Sequence, residues 1–96
     1  MSGKEILDKV KKYRDLTERA LAKVKKINGL NEIQEKIADD FLSMARNYFS
    51  DAKYFEEKGD FLTALSAYSY AHAWLDAGIR SKLFDGEKDD KLFTLP

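Results

Sequence analysis

The 96-residue sequence contains no cysteine. That absence excludes a disulfide framework, a thiol nucleophile and a thiolate metal site. No stretch approaches the roughly 18 uninterrupted apolar residues of a membrane span. The opening run MSGKEILDKVKK is charged from its fourth residue and lacks the apolar centre of a signal peptide. A cytoplasmic chain without membrane contact is the expectation. Histidine occurs once, as His72, so the paired Glu-x-x-His motifs of a di-iron bundle are missing. Asp39 and Asp40 are adjacent, point about 100° apart on a helix and read as solvated, as do Asp51, Glu56 and Glu57. The five glycines stand singly, which excludes a phosphate-cradling loop. No metal or cofactor is expected.

Net charge is also absent, because seventeen basic residues balance seventeen acidic ones. The distribution is uneven. Residues 1–30 hold nine basic against four acidic residues, a balance of +5; residues 31–60 hold four against eight, or −4. A basic helix packed beside an acidic one accounts for this pattern. The sharper reading is a nucleic-acid face on the first helix, built from Lys12, Arg19, Lys23 and Lys26 with Lys11 and Lys25 nearby. Solvated roles are favoured, since no exposed aromatics interleave with the stripe for base stacking.

What the chain does have is apolar residues at helical spacing. With 44% apolar and 35% charged residues it fits one globular domain over 1–96. Ile6, Val10, Tyr13, Thr17, Ala20, Val24 and Ile27 recur at alternating intervals of four and three, with Leu7 and Leu21 beside them. Ser2 and Glu5 suggest a capping box at the start, and Asn28-Gly29 suggests the stop. A second helix begins at Asn31, with Gln34 placed to complete a cap. It buries Ile33, Ile37, Phe41, Met44, Ala45, Tyr48, Ala52 and Phe55, and ends at Gly59. Asp60 caps a third helix. The expected fold is all-α: an up-down-up bundle of three long antiparallel helices over about 3–27, 32–58 and 61–84, with no strands. In the tail, 85–96, Leu92, Phe93 and Leu95 either fold back or dock into a neighbour.

The third helix is apolar on nearly every side. Such a helix must be covered on several sides, and two other helices leave part of that task to a partner. Leu62, Tyr70, Ala73, Trp74 and Ala77 lie off the main core stripe and are the candidate contact residues for self-association or for another helical protein. His72, Asp76 and Arg80 follow at intervals of four. A general base oriented by Asp76, with Arg80 holding an anion, is one reading. A polar ladder facing water is the favoured one, because a lone histidine without a nearby nucleophile is weak support for catalysis. The chain is therefore expected to be a non-enzymatic interaction module, with nucleic-acid association as the alternative.

The hairpin around Gly59, with Ala52, Phe55, Asp60, Phe61, Ala64, Tyr68 and Ala71, resembles a single tetratricopeptide repeat. The likeness covers about a fifth of the chain and is not repeated, so it reads as shared hairpin packing and not as an array. A broader likeness runs from Gly59-Asp60 through Ala64-Leu65, Tyr68 and Ala71-His72-Ala73 to Leu75-Asp76-Ala77-Gly78. These residues, after a Lys-rich helix and an Ile-Ala-Asp-Asp segment, resemble a family of small archaeal proteins known as domain of unknown function 357. That resemblance implies a helical bundle of archaeal origin and no activity. There is a looser similarity to HEPN-type helical domains, whose nucleases place His shortly after Arg. Here His72 precedes Arg80, which does not support such chemistry.

Overall fold

Each helix begins where a side chain satisfies its free N–H groups. In the computed structural model, which describes residues 2–95, α1 spans Gly3–Lys23, α2 Glu32–Glu57 and α3 Phe61–Arg80. Ser2 Oγ accepts from the Glu5 N–H at 3.2 Å. At α2 the box is reciprocal, with Gln34 N–H donating to Asn31 at 2.8 Å and Asn31 N–H to Gln34 at 2.9 Å. Asp60 accepts from Thr63 N–H at the start of α3. The fold is the all-α, three-helix bundle that the periodicity predicts.

The helix ends differ from the sequence expectation. α1 stops at Lys23, not near 27, because Val24 turns extended, with ψ at 139°. Strand β1 (Lys25–Lys26) then pairs antiparallel with β2 (Phe84–Asp85), Lys25 opposite Asp85 and Lys26 opposite Phe84. Ile27 N–H extends the pairing to the Leu83 carbonyl at 2.9 Å. This small ladder takes up backbone groups that a longer helix would have bonded internally, and it corrects the expectation of no strands. Asn28-Gly29 makes the following turn, with φ of +84° at Gly29, and does not stop α1.

α3 ends at Arg80 instead of about 84 through a doubly bonded reversal. Leu83 N–H reaches the Gly78 carbonyl and Lys82 N–H the Ile79 carbonyl, with Lys82 left-handed at φ of 60°. α2 closes in the same way, with Gly59 as the left-handed residue. Beyond its reversal, α3 receives the ring of Phe84 against Gly78.

α3 lies in the middle. It packs extensively on α2 and on α1, whereas α1 and α2 barely touch each other. Ala38, Ala45 and Ala52 on α2, and Ala64, Ala71 and Gly78 on α3, recur every seven residues and are buried. Their small size lets the helices close on Tyr68 and Leu75, which are fully buried. The central position explains most of the apolar character of α3 without a partner. The tail folds back on its own bundle: Leu92 and Phe93 are buried beside Leu75, Ile79 and Phe84. Two residues assigned to the core of α2 are not in it, since Ile33 is 70% and Ile37 43% exposed. Tyr13 of the α1 seam is also exposed.

Candidate interaction surface

The five candidate contact residues of α3 divide in two. Leu62 (66%), Tyr70 (47%) and Ala73 are exposed. Trp74 and Ala77 are half-buried, and Trp74 packs into the core cluster around Leu75. Its indole N–H is buried with no acceptor among the described residues.

Tyr70 and Trp74 belong to a chain of edge-to-face aromatic contacts between α2 and α3. Phe41 meets Trp74 at 5.1 Å between centroids, Trp74 meets Tyr70 at 6.1 Å, and Tyr70 meets Tyr48 at 4.4 Å. These are favoured geometries for ring quadrupoles. Phe41, Tyr48 and Phe55 recur every seven residues on α2, which is why one helix edge delivers all three. Beyond Tyr48 and Tyr70 the chain opens into a groove of about 420 Å³, lined also by Asp51, Phe55, Thr63, Ser66 and Ala67. By helical period, Ile33 and Ile37 continue the Tyr48–Phe55 edge toward the start of α2. Their part in an exposed apolar surface was hidden in the sequence, because core and surface isoleucines share the same spacing.

The His72, Asp76 and Arg80 ladder does not face water alone. It clamps the tail. His72 Nε2 lies 2.5 Å from the Leu92 carbonyl, Asp76 accepts the Thr94 N–H at 2.9 Å, and Arg80 donates to the Leu95 carbonyl at 2.8 Å. The three tail contacts follow along the chain in the same order as their partners on α3. A carbonyl only accepts, so Nε2 carries the proton toward Leu92, and Nδ1 lies 3.1 Å from the Thr17 hydroxyl. Both ring nitrogens and both Asp76 oxygens are thereby engaged. His72 and Asp76 also edge a smaller cleft with Tyr13, Leu16, Ser69 and Lys91.

A second polar cluster joins all three helices. Arg14 of α1 pairs with Glu56 of α2, and Tyr68 of α3 donates to Glu56 at 2.7 Å. Burial, then the bond to Glu56, pushes the Tyr68 phenol far above its usual range. Glu56 is therefore a structural acceptor. Among the described residues, no group of three or more His, Asp or Glu is placed to hold a metal ion.

A family model described as "Protein of unknown function (DUF357)" matches residues 12–84. The chain belongs to that family. No curated protein and no solved structure matches it. In this DUF357 chain the matched span covers the seam alanines, Gly78 and the Phe84 that packs on it. It also includes the four residues of the candidate nucleic-acid face, Lys12, Arg19, Lys23 and Lys26, three of which have carboxylate partners. Lys23 bonds Asp89 at 2.9 Å, Lys26 bonds Asp39 at 2.8 Å and Glu35 at 2.6 Å, and Arg19 pairs with Asp15 at 3.6 Å. Those bonds hold the Lys23 and Lys26 ammonium groups above their usual range. Lys12 lies over the Tyr13 ring. No helix among the described residues of this DUF357 chain is long and apolar enough to cross a membrane.

Proposed function

We propose that the chain is a non-enzymatic helical module of the cytoplasm that self-associates through the apolar side of the α2–α3 pair. One observation carries this reading: Ile33, Ile37, Leu62 and Tyr70 stand exposed on a molecule only 17 Å through its thinnest dimension. α1 and α2 barely touch each other, so the helices lie more nearly side by side across α3 than in a closed triangle. Domains bury their apolar faces between two layers, and a second copy supplies the other. The zero net charge also favours association.

Two features support a role without catalysis. His72 and Asp76 spend their polar atoms on Thr17 and the tail, and Glu56 spends its own on Arg14 and Tyr68. Binding of nucleic acid through Lys12, Arg19, Lys23 and Lys26 is the weaker reading, because most of that charge is already neutralised inside the fold. The test is a pair of variants, Leu62→Glu and Ile37→Glu, examined by sedimentation equilibrium and circular dichroism. Loss of association with helicity retained is expected. Unchanged association in both would overturn the assignment of this face.

A further inference from the structure

The groove between α2 and α3 is aromatic on three sides and carries a single charge in its walls. Tyr48 and Phe55 line it from α2, Tyr70 from α3, and Asp51 supplies the carboxylate. Asp51 is exposed and has no ion-pair partner among the described residues. No basic side chain lines the groove. We propose that it takes the ammonium or guanidinium end of a lysine or arginine side chain from the second copy, an inference that rests on the self-association reading above.

The chemistry of the walls favours such a group over a neutral one. Aromatic faces carry negative quadrupole charge and attract cations within about 6 Å of the ring centre. The aliphatic stem of a long basic side chain packs on the apolar walls while its head stays at the wet end. Asp51 there supplies the counter-charge, and the Thr63 and Ser66 hydroxyls supply neutral acceptors.

The chain also holds suitable donors. Lys4, Lys9 and Lys11 of α1 are exposed and have no acidic partner among the described residues, unlike Lys23 and Lys26. They lie in the segment with a balance of +5, and Asp51 lies in the one with −4. In a two-fold pair each copy meets the other through the same surface, so one kind of contact between a basic residue and a groove would form twice.

The experiment measures the self-association constant of the full chain and of Asp51→Asn, with n-butylammonium and n-pentanol as competitors. Asp51→Asn is expected to weaken association by up to about five-fold, the upper range of an exposed ion pair. Raising salt from about 0.05 M to about 0.5 M is expected to act in the same direction. Butylammonium is expected to compete better than pentanol. If Asp51→Asn and salt change nothing while Leu62→Glu abolishes association, the cation site is overturned and self-association stands. Equal competition by pentanol overturns it too. A chain that is monomeric throughout overturns the second copy as the source of the cation together with the self-association reading.

Discussion

The ring of Phe84 occupies the space that a side chain on Gly78 would fill. A Cβ at Gly78 would lie 2.0 Å from Phe84 Cδ2 and 2.1 Å from Cε2. Glycine inside a helix ordinarily costs about 0.5–1 kcal/mol relative to alanine, so Gly78→Ala would stabilise an isolated helix. Here the ring must move, and overpacking of this kind costs typically 1–3 kcal/mol. The net expectation is destabilisation, read as a lower urea midpoint. An unchanged or higher midpoint would contradict the packing described.

Lys82 presents the opposite case. It holds a left-handed conformation, φ 60°, at a position where glycine is usual. A side chain there costs about 1–2 kcal/mol, part of which glycine gives back through greater freedom in the unfolded chain. Lys82→Gly should raise stability by about 0.5–1 kcal/mol, or several degrees in a domain of this size. Lys82→Ala should show no such gain. Equal effects from both would point to charge and not to backbone strain.

Capping residues and the alternation of threes and fours are local signals, and they marked all three helices and the buried stripe of α3. The ladder between Lys25–Lys26 and Phe84–Asp85 joins residues about sixty positions apart, which no local period reveals. For the same reason α1 and α3 end earlier than their apolar spacing predicts. The apolar third helix suggested a missing partner, but much of its surface is covered because α3 sits between α1 and α2. The polar spacing of His72, Asp76 and Arg80 was visible, whereas their bonds to Leu92, Thr94 and Leu95 depend on where the tail returns. Ile33 and Ile37 share the spacing of the core residues of α2, so periodicity alone places them inside, whereas the structure leaves them exposed.

The clamp on the tail predicts a local effect. In Asp76→Ala the Thr94 N–H loses its acceptor, and the return of residues 92–95 loosens. Hydrogen exchange at the Leu92 and Phe93 amides should accelerate about tenfold, the equivalent of one good hydrogen bond. Amides in the middle of α3 should keep their protection. Uniform acceleration along the chain would mean that the tail and the helices open together.

Acid should release part of the same contact. The Asp89 carboxyl is held below its usual range by the bond from Lys23, and then by the Leu92 N–H. Its stabilisation is complete above the ordinary carboxylate value of about 4 and is lost as pH falls through the lower folded value. Lys23 is raised chiefly by the same bond, so its share is complete below about 10.4 and lost as pH climbs through the higher folded value. The bridge therefore acts over the range between, weakened by solvent. The gap in urea midpoint between the parent and Asp89→Asn should be larger at about pH 7 than at about pH 3. A gap independent of pH would contradict a role for the ionised pair.

The most direct test of self-association is the molar mass in solution, by light scattering on a size-exclusion column at two protein concentrations. The account predicts a species of at least twice the 11.0 kDa chain mass, its population growing with concentration. A mass of 11.0 kDa at both concentrations would contradict it.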